Sequence, residues 1–197
     1  MSIIAFFDVE ISTQSKEILD IGCVLSNGSV FHKNKPLEFE SFIENADFIC
    51  GHNIIAHDLS FIQKHFGNPS WGLSKAIDTL LLSPLLFPKQ PYHNLLKNDK
   101  LQTDELNNPV NDSEKAKNLF FDEVAAFEKL NIEFKSILYL LLYDQVGFSN
   151  FFKYIDFRSP FKKEHLADLI KNHFHESFCH NFDLSSFIQK DPVPLAY

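Results

Sequence analysis

The chain has 197 residues, 45% of them hydrophobic and 22% charged, enough to bury one good core with a small appendage. Its formal net charge of −8 argues against a tight, sequence-independent grip on a polyanion, which needs lysine and arginine to neutralise phosphates. No run of about 18 apolar residues offers a membrane span, and the odd set Cys23, Cys50 and Cys179 reads as reduced core residues. With no charged leader before the first apolar run, a cytoplasmic protein is expected.

Ile3–Val9 is an apolar run that reads as a buried strand, and a second follows at Ile18–Leu25. Ser26-Asn27-Gly28-Ser29 then signals a hairpin, because Asn-Gly accepts the positive φ angles of a tight turn, and Val30–Lys33 is the third strand. Phe39–Asn45 has helical spacing, and Phe48–Cys50 is a short buried strand closed by Gly51. A helix is expected over Asp58–Phe66, ended by Gly67-Asn68-Pro69, then a strand at Lys75–Asp78 and a short helix to Phe87, closed by Pro88 and Pro91. Asp112–Leu130 is amphipathic, with Ala116, Leu119, Phe120, Val124 and Phe127 on one face. Three further helices are expected at Ile132–Tyr143, Phe148–Phe157 and Glu164–Phe174. The pattern divides the chain into 1–130 and a helical extension, 131–197, that is either a cap or the start of a following module. Its apolar ending, Pro192–Tyr197, reads as a chain that continues.

Four carboxylates in three segments carry the chemistry: Asp8 and Glu10 in FFDVEIS, Asp58 in GHNIIAHD, and Asp112 in NNPVNDS. A two-residue period puts Asp8 and Glu10 on one face of the first strand. Neighbouring carboxylates repel at neutral pH unless cations sit between them. Oxygen-only ligands on a rigid strand suit hard divalent ions, Mg²⁺ or Mn²⁺, and suggest a two-metal phosphodiester site.

The order FxDxE, GHN…D after an apolar strand, and a late Asp ahead of a helix resembles the DEDD (DnaQ-like) exonuclease superfamily over roughly residues 1–128. Glu17–Val24 is similar to the family's second strand, Ile77-Asp78-Thr79-Leu80 to a later strand end, and Tyr92-His93-Asn94-Leu95-Leu96 to the helix before the last motif. The resemblance implies an α/β fold with a ribonuclease H-like mixed sheet flanked by helices. It implies a 3′→5′ exonuclease releasing nucleoside monophosphates, with Asp8 bridging two ions, Glu10 and Asp112 completing one site and Asp58 holding the other. Ile11 and Ser12 would approach the terminal nucleotide, and His52 and Asn53 would shape the substrate side. A weaker similarity to exonuclease domains fused ahead of RecQ-type helicases favours single-stranded DNA over RNA, a linked helicase and a role in DNA repair.

One family residue is missing. The common branch has a histidine five residues before the last Asp, where this chain has Asn107; the other branch has a tyrosine four before, here Asn108. An amide takes no proton at neutral pH, though its carbonyl can orient a water. Two readings follow: a slower enzyme that relies on its ions, or an inactive module that binds nucleic-acid ends or tethers partners. Adjacent residues on a helix point about 100° apart, so His57 is expected to face solvent beside Asp58, whereas His93 is a candidate to reach the cleft. Phe61 and Phe87 are expected in the core. His173, His175, Cys179 and His180 lack the spacing of a structural zinc site.

Overall fold

The computed structural model describes residues 2–66, 71–95, 108–175 and 182–197, with side chains to residue 63 in the first stretch. Strands β1 (Ile4–Ile11), β2 (Ile18–Leu25) and β3 (Val30–His32) form an antiparallel meander. The β2–β3 hairpin turns where Asn-Gly demanded it: Gly28 has φ 92°, and the Leu25 amide donates to the Ser29 carbonyl at 2.8 Å. After helix α1 (Pro36–Ile43), β4 (Phe48–Gly51) pairs in parallel with β1. Helix α2 (Asp58–Phe66) leads to β5 (Ala76–Asp78), parallel to β4, so the sheet order is β3-β2-β1-β4-β5. Helices α3 (Thr79–Leu86), α4 (Pro109–Lys129), α5 (Ile132–Leu142), α6 (Ser149–Tyr154), α7 (Leu166–His173), α8 (Leu184–Lys190) and α9 (Pro192–Ala196) complete the described chain. This is an α/β fold with a five-stranded mixed sheet flanked by helices and followed by C-terminal helices.

Alternation along β1 divides the core. Ala5, Phe7 and Val9 face α1, Ile54, Ile62 and Trp71; Ile4 and Phe6 face Phe120 of α4, Phe148 and Phe151. The same parity carries Asp8 and Glu10 onto the α4 side, as the two-residue period requires. The 131–197 segment packs on this side too, burying Ile137, Leu141, Phe151, Leu166 and Leu184 in one cluster with Ile4, Phe6, Cys50 and Ile77. Asn150 of α6 donates to the carbonyls of Ser74 and Ala76, at 3.1 and 3.0 Å, tying the extension to the start of β5.

Several boundaries differ from expectation. Helix α4 starts at Pro109 rather than Asp112, because Asn108 accepts the Val110 amide as an N-cap and proline fits the first helical position, where no N–H partner is needed. Helix α6 is shorter than expected and closes before Asp156, a non-glycine residue at φ 49°. Tyr92–Leu95, the described part of the stretch expected to be a helix, is irregular. Phe61 and Phe87 are only partly buried and belong to neither core cluster. Leu59 and Ile62 take the inward face of α2 and leave Phe61 on its flank. The stop Gly67-Asn68-Pro69, Leu96, Asn107, and the pair Cys179 and His180 lie outside the described residues.

Candidate metal centre

Asp8 lies opposite Gly22 in the β1–β2 ladder, and Glu10 opposite Asp20, with a register shift directly after Glu10. Gly22 decides what reaches Asp8. A side chain there would overlap the backbone of Pro109 and Val110, so the first turn of α4 sits directly on β2 only because this position is bare. Ser113, fully buried, fastens the contact by donating to the Gly22 carbonyl at 3.0 Å, within reach of Pro109's carbonyl at 2.6 Å. One residue earlier on the same turn stands Asp112. Carboxylate oxygens of Asp8, Glu10 and Asp112 thereby fall within 4.8 Å of one another.

Asp58 approaches from β4's side. It is 2% exposed, and its Oδ1 accepts the Val9 amide at 2.9 Å, which holds the α2 N-terminus against β1. It stands outside the three-carboxylate group but close enough that its charge acts on Asp8. Burial first, then the charges of Asp58, Asp112 and Glu10, push the Asp8 carboxyl up to about 8 from 3.8. Burial raises Asp58 too, opposed by His57 and the Val9 amide.

His57 is better placed than the sequence suggested. Half its side chain is exposed, as expected, yet its Nδ1 lies 3.7 Å from Asp58 Oδ2 and its ring packs on Phe61 with centroids 5.3 Å apart. It precedes the helix in a turn, so the 100° offset between successive helical residues does not apply. The Asp58 carboxylate raises its pKa against burial, with Asp8 and Glu10 adding to the effect. Lys115, which sequence reasoning missed, also belongs to the site: its Nζ is 2.9 Å from Asp112 Oδ1, one helical turn on.

The turn between β4 and α2 is braced by Asp78. Its Oδ1 accepts the amides of Asn53 and Leu80 at 2.9 and 3.0 Å, and its Oδ2 that of Ile55 at 3.1 Å. Asn53 adopts φ 65°, a conformation asparagine tolerates. His52 turns inward, its Nδ1 2.9 Å from Thr79 Oγ1, and burial lowers its pKa to about 4, which leaves the ring neutral. The signal for Asp78 was in the sequence, since an aspartate between a strand and a helix is a capping position. At the other rim Ser12 closes the β1–β2 loop, its amide donating to the Glu17 carbonyl at 2.9 Å and its Oγ accepting the Ser15 amide at 3.1 Å. Ile11 beside it is partly buried. His173 ends α7 stacked on Phe134, with centroids 5.2 Å apart.

No protein-family model, curated protein or solved structure matches the chain. Among the described residues, no helix is long and apolar enough to cross a membrane.

Proposed function

We propose that the chain is a ribonuclease H-like, DEDD-type exonuclease that removes nucleoside monophosphates from the 3′ end of a single strand, using two divalent ions. The observation that carries this reading is the convergence of Asp8, Glu10 and Asp112, drawn from β1 and α4, beside a buried Asp58. The sheet order β3-β2-β1-β4-β5 supports the fold assignment. The donor set fits the ions: all four groups offer oxygen, the preference of Mg²⁺ and Mn²⁺, and burial together with the charges of Asp58, Asp112 and Glu10 raises the Asp8 carboxyl, a cost that a cation there would relieve.

Asp8 would bridge, Glu10 and Asp112 would complete one ion's ligands, and Asp58 would hold the other. Bound there, the ions would lower the pKa of a water and stabilise charge on the attacking and leaving oxygens. The chain supplies the geometry. Gly22 and Ser113 fix the distance between β2 and α4, the Val9 amide fixes Asp58, and Asp78 fixes the turn carrying Asn53. Ile11, Ser12, His52 and Asn53 would contact or shape the site of the terminal nucleotide. A DNA strand, a linked helicase and a cytoplasmic setting complete the proposal.

A second reading has its own observation. Asn108, at one of the two positions where the family carries a base, is occupied as the helix cap, and Asn107 is an amide. On this reading the fold binds ends or tethers partners without cutting. Incubating 5′-labelled DNA and RNA oligonucleotides with Mg²⁺ or Mn²⁺, with Asp8→Ala as control, separates the two. A ladder shortening from the 3′ end, absent in the variant, supports the enzyme; intact oligonucleotide in both metals supports the binding module.

A further inference from the structure

The helical extension carries a second surface that the carboxylate site does not use. Tyr139, Tyr143, Phe157, Lys153, Arg158 and Asp156 line a groove of about 360 Å³. Tyr139 of α5 and Tyr143, the residue that caps its C-terminus one turn on, stack with ring centroids 5.2 Å apart and planes at 19°. Tyr139 is held in place by edge contacts to Phe152 and Phe157, so the pair is a rigid platform rather than two loose side chains.

Charge gathers at the same place. In a chain of net −8, the segment 153–163 holds Lys153, Arg158, Lys162 and Lys163 against a single acid, Asp156. Arg158 is the chain's one arginine; it is exposed and has no ion pair or hydrogen bond among the described residues. Among the described residues Lys153 donates only to Asn150, at 3.1 Å. Lys163 lies over Tyr143, 5.5 Å from the ring centre, and 3.8 Å from Asp144, while Lys162 is 3.6 Å from Glu164. Exposed pairs of this kind hold a side chain only weakly, so Lys163 can swing to a phosphate and leave the ring face to a base.

From this juxtaposition of a stacked tyrosine platform with an unpaired arginine we infer that the groove is a binding site for single-stranded nucleic acid, one base on Tyr143 and the backbone phosphates on Arg158 and Lys153. Stacking on aromatic faces beside a cationic track is how sequence-tolerant strand binding works. The groove accounts for how an acidic chain grips a strand. It does not rest on the exonuclease reading, because its residues hold no ion and its binding needs none.

The test is fluorescence anisotropy of a labelled single-stranded oligonucleotide of about 12 nucleotides, titrated in EDTA at several salt concentrations. Arg158→Ala and Tyr143→Ala should each weaken binding about five- to tenfold, Tyr143→Phe should retain it, and Arg158→Ala should lower the salt slope by about one. The inference is overturned if the wild type shows no binding in EDTA, if Arg158→Ala binds unchanged with an unchanged salt slope, or if a mononucleotide competes as well as the oligonucleotide. Arg158 is exposed, so its variant tests the site even if Tyr143→Ala does not fold.

Discussion

Replacing Asp8 with asparagine should stabilise the metal-free protein and at the same time remove its response to metal. Asp8 is raised to about 8 from 3.8 by burial and by Asp58, Asp112 and Glu10. The folded state therefore holds this proton more tightly than the unfolded chain, and metal-free stability is lost as pH rises from about 4 through about 8. Each pH unit across that window is worth at most roughly 1.4 kcal/mol. The charge is shared among neighbours and the asparagine amide must itself be accommodated, so a net gain of about 2–3 kcal/mol above pH 8 is a reasonable expectation. For a chain of this length that raises the melting temperature by about 5–10 °C. Saturating Mn²⁺, at about 100 times its dissociation constant, should add about 2.7 kcal/mol to the wild type and nothing comparable to Asp8→Asn. Thermal melts of both proteins at about pH 6 and about pH 9, with EDTA or Mn²⁺, give all the comparisons. The reasoning fails if Asp8→Asn melts below the wild type in EDTA at the higher pH, or if it keeps the wild-type gain from Mn²⁺.

Gly22→Ala should push the first turn of α4 off β2, costing about 1–3 kcal/mol or more in urea unfolding and abolishing the Mn²⁺ gain because Asp112 leaves with the turn. Asn108→Ala, which removes the cap on Val110, should cost about 1 kcal/mol in the same assay. Glu123 is fully buried between α3 and α4, bonded to Ser83 at 2.8 Å and raised well above its usual range by burial, so it too costs stability as pH rises; Glu123→Gln should flatten that decline in melts across alkaline pH. Asn107→His should speed cleavage by at most about 10²–10⁴-fold if the ring reaches the water, measured as single-turnover rate in Mg²⁺ and Mn²⁺.

Most of the sheet was legible because its signals are local. Alternation along β1, the Asn-Gly hairpin and the short apolar strands each require only a few residues, and the same alternation placed Asp8 and Glu10 on one face. The missing parts are relations between distant segments. Nothing near Gly22 in sequence says that Pro109 and Val110 lie on it, yet that contact brings Asp112 to Asp8. His57 was discounted by a helical rotation it does not follow, since it sits in the turn before α2. Lys115 could have been found, because i,i+3 from Asp112 on a helix is a neighbouring position. The start of α4 was also readable: Asn108-Pro109 is a cap followed by a first-turn proline. The groove on the extension needed the turn at Asp156 to bring Arg158 back toward α5, a backbone choice with no glycine to announce it.

Whether Asp8, Glu10, Asp112 and Asp58 hold divalent ions is tested, without depending on activity, by an anomalous difference map from crystals soaked in Mn²⁺. The expected map has a peak bonded by Asp8, Glu10 and Asp112, with a second about 3.5–4 Å away toward Asp58 once a nucleotide is present. A map with no peak at Asp8, or with manganese only at surface acids elsewhere, would contradict it.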